Sequence, residues 1–144
     1  MIFGRKDRNG IVVGYDGSES SKAALAEAID MADELGEFVV IVFGYAPGGY
    51  GGGEDPTQRQ AAKEVGEKVT KEGAEAVADA KTDVEIELVN EDAFDALISV
   101  AKKRDARMIV VGSNGESPIK GALLGSTPYK LVQLSETPVL VVRV

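Results

Sequence analysis

Short, unbroken apolar runs alternate along the chain with longer stretches whose apolar positions recur every three or four residues. Ile11-Val12-Val13-Gly14-Tyr15 is continuous rather than alternating, as expected of a strand covered by helices on both faces of a parallel sheet. From about Ser18 to Leu35 the apolar positions Ala24, Leu25, Ala28, Ile29, Ala32 and Leu35 follow helical spacing, and Gly36 supplies the stop. Phe38 to Tyr45 reads as a second strand. Asp55-Pro56-Thr57-Gln58 then has a capping carboxylate, proline at the first helical position and an amide at the third, which predicts a helix to about Ala80. Its small stripe of Ala61, Val65, Val69, Ala76 and Val77 predicts close packing on the sheet. Val84, Ile86 and Leu88 alternate with acids, the pattern of a strand with one solvated side near a sheet edge. A third helix is predicted from about Asp92 to Arg104 through Ala93, Leu97, Ile98 and Ala101, with Lys102, Lys103 and Arg104 at its negative end. Met108 to Val111 forms another buried strand ending at Gly112. A last helix runs from near Ser126 to before Pro138, and Val139-Leu140-Val141-Val142 is a final strand.

This βαβαβαβαβ order predicts one α/β domain over residues 1–144, a doubly wound five-stranded parallel sheet with helices on both faces and right-handed crossovers. With strand order 3-2-1-4-5, the winding direction switches between strands one and four. Ligands bind at such a point, beyond the C-terminal strand ends. The loops Asp16-Gly17-Ser18 and Gly112-Ser113-Asn114-Gly115, far apart in sequence, should face each other there.

Composition narrows the chemistry. A chain of 144 residues that is 44% hydrophobic can bury a sizeable core. It has no cysteine and no histidine, which removes thiol nucleophiles, imidazole bases and the usual zinc ligands. The net charge of −8 argues against a nucleic acid partner. From Ala106 onward, however, Arg107, Lys120, Lys130 and Arg143 face Glu116 and Glu136, a balance of +2 that leaves −10 on the first 105 residues. No apolar run approaches the roughly 20 residues of a membrane span. The start MIFGRKDRNG lacks a signal-peptide apolar stretch, so no membrane partner and a cytoplasmic location are expected.

The second facing loop carries the strongest chemical signal: Gly112-Ser113-Asn114-Gly115, nine residues, then Gly125-Ser126-Thr127 opening a helix. Glycines let backbone amides turn toward an anion, a helix N-terminus adds exposed donors, and hydroxyls add neutral ones. The same residues also suit tight turns and a helix cap, and backbone physics alone leaves the two readings even. Asp16 is likewise either a ligand-side carboxylate or the acceptor of an Asx turn. Lys120 could screen a phosphate or be a solvated loop lysine. Ser18, Ser20 and Ser21 are similar to the hydroxyl-rich first loop of a flavin-binding sheet, though capping of the first helix explains them more simply.

Val-Gly-Tyr-Asp16-Gly-Ser, the spaced Gly112-x2-Gly115-x9-Gly125-Ser126 and the terminal Pro138-Val-Leu-Val-Val-Arg143 together resemble the universal stress protein family, over nearly the whole chain and in the right order. The resemblance implies an adenine-nucleotide alpha-hydrolase-like fold, binding of ATP, ADP or AMP, and a regulatory or protective role in stress. Carried over, it places Asp16 and Gly44 beside the adenosine moiety and Gly112, Gly115, Gly125, Ser126 and Thr127 along ribose and phosphates. Ser113 and Asn114 contribute through backbone amides. A divalent metal such as Mg²⁺ would be an accessory whose ligands the sequence does not name. Asn114 stands where the family often has histidine, and Phe43-Gly44 where it often has His-Val near the adenine. These departures bear on the fit of the base and leave phosphate binding intact. Pro128, directly after the hydroxyls, is compatible with a first helical turn.

Two further features concern assembly and access. The apolar final strand would be an exposed edge, and pairing with a second copy through Val139–Val144 satisfies both backbones, so a homodimer is expected. The tract Gly48, Gly49, Gly51, Gly52 and Gly53 reads as a plain flexible connection in preference to a lid. Competing functions are a slow ATPase or phosphotransferase on the same site, for which neither a P-loop lysine nor a metal-binding carboxylate pair is evident, and a dimeric interaction protein without nucleotide. A phospho-receiver domain fits poorly, since it wants paired acids where Asp16 stands alone.

Overall fold

Residues 9–46, 55–114 and 124–144 are described by a computed structural model, in which strands and helices alternate throughout. The elements are β1 (Ile11–Gly14), α1 (Glu19–Leu35), β2 (Val39–Gly44), α2 (Pro56–Ala76), β3 (Val84–Val89), α3 (Ala93–Arg104), β4 (Met108–Gly112), α4 (Ser126–Leu134) and β5 (Val139–Val142). The glycine tract at 48–53, Gly115 and Lys120 lie outside the described residues.

All strand pairs are parallel and the order is β3-β2-β1-β4-β5, as the pattern predicts. β1 sits at the centre, with Val12 opposite both Val40 and Ile109. Its continuous apolar run is explained by two separate cores. Ile11, Val13 and Tyr15 pack with Ile41 and Val110 beneath Ala24, Leu25, Ala28 and Ala32 of α1. On the opposite face Val12, Val40, Ile109 and Val111 meet Ala96, Leu97 and Val100 of α3 and Leu131 of α4. Each fully buried branched side chain contributes roughly 1.5–3 kcal/mol, so both faces of the central strands drive the fold.

Local chemistry sets the element ends. Ser18 caps α1, its hydroxyl accepting from the Ser21 amide at 3.1 Å, and Gly36 ends the helix at φ 70°, a conformation that suits glycine. Asp55 accepts from the Thr57 amide ahead of Pro56, and Asp92 from the Asp95 amide. The acids of edge strand β3 are bridged rather than merely solvated: Glu87 bonds Lys103 and Arg104, and Glu85 bonds Arg104.

Helix α2 departs from the sequence reading in length and in rotation. It ends at Ala76, where Val77 leaves helical geometry, rather than near Ala80. Ala61, Val65 and Ala76 are exposed, and the buried line is Gly66, Thr70 and Gly73. Two glycines one heptad apart let the backbone descend onto the Phe43 and Tyr15 rings, so that of the alanine and valine stripe Val69 and Val77 stay half-buried against the core while Ala61, Val65 and Ala76 face outward. Thr70 satisfies its buried hydroxyl by donating to the Gly66 carbonyl at 2.7 Å.

Candidate functional site

A cleft of about 270 Å³ opens at the C-terminal ends of β1, β2 and β4, at the point where the winding reverses. One wall is Gly14, Tyr15 and Asp16; a second is Val42, Phe43 and Gly44; Ala93 and Leu97 close it from α3. Facing these are Val111, Gly112 and Asn114 from the end of β4 and Gly125, Ser126, Thr127 and Pro128 from the start of α4. Asp16, Gly44, Gly112, Asn114, Gly125, Ser126 and Thr127 thus meet around one space, although up to 111 positions separate them in the chain.

Glycine at three of these positions answers to packing. A Cβ on Gly112 would run into Ser20, reaching its carbonyl oxygen at 2.5 Å as well as its hydroxyl. One on Gly44 would strike the backbone of Glu91 and Asp92, and one on Gly14 would meet Leu97 and Val111 at 3.1 and 3.2 Å. Glycine at these positions lets the strand ends pack directly against Ser20, Glu91, Asp92, Leu97 and Val111.

Asp16 plays the turn role and also borders the cleft. Its Oδ1 accepts from the Ser18 amide at 2.9 Å, an Asx turn, while its own amide donates to Ser21 Oγ at 3.3 Å. The turn leads the chain into α1 and leaves Asp16 in the lining of the cleft. Tyr15 is 6% exposed; burial is the main influence on its phenol and raises the pKa, opposed by the charge of Lys22.

The donor inventory differs from the one read in the sequence. The Ser113 amide donates to the Val142 carbonyl at 2.9 Å, its carbonyl accepts from the Gly125 amide at 2.7 Å, and the buried side chain is absent from the lining. The Asn114 amide donates to Ser20 Oγ at 3.1 Å. Three backbone donors of the expected cradle are thus engaged inside the protein. Ser126 and Thr127 are the first two residues of α4, whose amides have no carbonyl to meet within the helix, and Pro128 at the third has no N–H. Among the described residues nothing takes up the two helix amides, the two hydroxyls or the Asn114 side chain, and these are the donors that could meet an anion.

Among the described residues, the bases of the C-terminal third do not reach this space. Arg107 lies at the other end of the sheet, its Nη1 3.6 Å from buried Glu37 and its amide donating to the Gly10 carbonyl, and the Lys130 ammonium sits 5.4 Å from the Phe94 ring centre. Among the described residues no lysine or arginine lines the cleft, and no group of three or more acids or other ligands could hold a metal ion. The attraction for an anion comes from the positive end of α4. Sequence reasoning missed Gly14, Tyr15, Val42, Ala93, Leu97 and Val111; apolar strand ends and a helix start carry no motif that marks them as lining.

The family model described as the Universal stress protein family matches residues 8–143. Among curated relatives, Universal stress protein YxiE of Bacillus subtilis is 31% identical, the match covering 94% of this chain and 99% of that one. Among solved structures, Universal stress protein UspA from Lactobacillus plantarum superposes with TM-score 0.82 at 21% identity, covering 96% and 100% of the two chains, a likeness of fold. A universal stress protein in complex with cAMP is 31% identical with TM-score 0.69, covering 92% of this chain and 94% of its own. No helix among the described residues is long and apolar enough to cross a membrane.

Proposed function

The chain belongs to the universal stress protein family, and from that premise we propose that it is an adenine-nucleotide-binding module, taking ATP, ADP or AMP in the cleft and coupling occupancy to a protective or regulatory interaction under stress in the cytoplasm. The observation that carries the reading is the meeting of Asp16, Asn114, Ser126 and Thr127 around one cleft at the switch point, with the unpaired amides of α4 at one side. The cAMP complex of the 31%-identical relative supports the same class of ligand.

In this reading the base lies toward Phe43 and Gly44, with Asp16 beside the adenosine moiety. Ribose and phosphates run along Gly112, Gly115 and Gly125 to Ser126 and Thr127, and Asn114 acts through its side chain. The lining supports binding over turnover, since no cation among the described lining residues would neutralise charge developing on a transferred phosphoryl group. Two copies join through the edge of β5, beside which Tyr129 and Val132 of α4 are 54% and 50% exposed.

Small molecules released by denaturing the freshly purified protein, identified by mass spectrometry, test this reading. An adenine nucleotide is expected, and ATP should raise the melting temperature of the emptied protein by mass action. Recovery of a flavin alone, or no response to saturating ATP, would overturn it.

A further inference from the structure

We infer that Ser20 is a positioning residue for the phosphate side of the cleft, acting through its hydrogen bond to the Asn114 backbone; the inference rests on the nucleotide reading above. Three serines enter α1 together, and two have local duties. Ser18 caps the helix, and Ser21 closes the turn by accepting from the Asp16 amide and donating to the Ser18 carbonyl. Ser20 has another partner. It is 6% exposed, and its hydroxyl accepts from the Asn114 amide at 3.1 Å, across 94 positions of sequence.

The contact lies where α1 meets the end of β4. Gly112 has no space for a Cβ because the Ser20 hydroxyl and carbonyl occupy it. Leaving β4, the chain is fixed twice: the Ser113 amide is held by Val142 on the sheet side and the Asn114 amide by Ser20 on the helix side. Two successive amides held in this way set the backbone from which the Asn114 side chain departs, and Asn114 lines the cleft together with Asp16. Without the Ser20 hydroxyl, the Asn114 amide would be left part-buried and unpaired, and the turn would relax to hydrate it. Ser20 itself is not among the lining residues.

The test compares affinities for adenosine, AMP and ATP in wild type and Ser20→Ala by titration calorimetry. Loss of one oriented contact predicts roughly fivefold to tenfold weaker ATP binding in the variant. Adenosine should stay within about twofold, because its base lies toward Phe43 and Gly44 and only its ribose shares this wall. Hydrogen exchange at the Asn114 amide should be slow in wild type and fast in the variant. Equal weakening of adenosine and ATP would indicate a general structural role and overturn the inference, as would unchanged ATP affinity or unchanged Asn114 exchange. Should Ser20→Ala fail to fold, Ser20→Cys, close in size with a weakly accepting sulfur, must show the same selective loss to a smaller degree. Wild type that binds none of the three ligands would instead sink the nucleotide reading itself.

Discussion

The ring of Phe43 lies against Gly66, so closely that a Cβ on Gly66 would come within 2.5 Å of Cδ1 and 2.8 Å of Cε1. Phe43 also lines the cleft, beside the space proposed for the base. A methyl group at position 66 must push the helix outward or displace the ring of a residue that lines the cleft. Overpacking costs about 1–3 kcal/mol, against about 1 kcal/mol regained in helix propensity. Gly66→Ala is expected to be less stable than wild type and to bind AMP more weakly. Placed on a Phe43→Val background the same change should cost little, and a double-mutant cycle in melting and titration would read the coupling. Additive effects would show that the ring has room elsewhere.

Asp16 has two separable roles, one as acceptor for the Ser18 amide and one as a carboxylate at the cleft. Asparagine keeps the acceptor and removes the charge. Asp16→Asn is expected to unfold within about 0.5 kcal/mol of wild type, whereas Asp16→Ala, which also loses the turn, should cost about 1 kcal/mol more. Both should weaken nucleotide binding, the asparagine variant by roughly tenfold if the carboxylate meets the adenosine moiety. An asparagine variant with wild-type affinity would assign Asp16 to the turn alone.

Glu87 ties the edge strand to α3, with Oε1 2.6 Å from Lys103 Nζ and Oε2 2.6 Å from Arg104 Nε. Burial raises its pKa, but the hydrogen bonds and charges of Lys103 and Arg104 together outweigh that and leave it below the ordinary 4.5. A pKa depressed by folding means stabilisation that is present above the unfolded value and lost as pH falls through the folded one. Glu87→Gln is expected to be about 1 kcal/mol less stable than wild type at neutral pH, since the pair is partly screened. The two urea midpoints should converge as pH is lowered through the carboxylate range. Curves that stay parallel would place the acid sensitivity elsewhere.

The proposed pairing of two β5 strands can be tested without breaking the sheet. The carbonyls of Pro138 and Val142 accept from Ile109 and Ser113, so these positions and Leu140 between them turn toward β4. By the two-residue period of a strand, the Val141 amide points to the open edge. Val141→Pro removes that donor and leaves the β4 ladder intact. Sedimentation should show a dimer for wild type and a monomer of unchanged circular dichroism for the variant. A dimeric proline variant would move the interface off this edge.

Most of the architecture was readable in order because its causes are local. Continuous apolar runs mark strands covered on both faces, and Ser18, Asp55 and Asp92 cap the helices that follow them. The strand order and the meeting of the Asp16 and Asn114 loops then followed from winding rules. Helix α2 shows where such reading stops. Its alanine and valine stripe obeyed helical spacing, but the glycines Gly66 and Gly73, which look like weak points in a helix, set the buried face because aromatic rings lie beneath them.

The sequence by itself determined the fold class, the strand order and the ends at which a ligand could enter, since periodicity, caps and handedness act over a few residues at a time. Only the tertiary structure decided which donors remain for that ligand. Whether the amides of Ser113, Asn114 and Gly125 are available depends on Val142, Ser20 and the Ser113 carbonyl, partners that folding selects. The basic residues of the C-terminal third were visible as charge, but Arg107 and Lys130 are engaged elsewhere. A hydrogen bond is a relation between two positions in space, and no count of residues along the chain contains it.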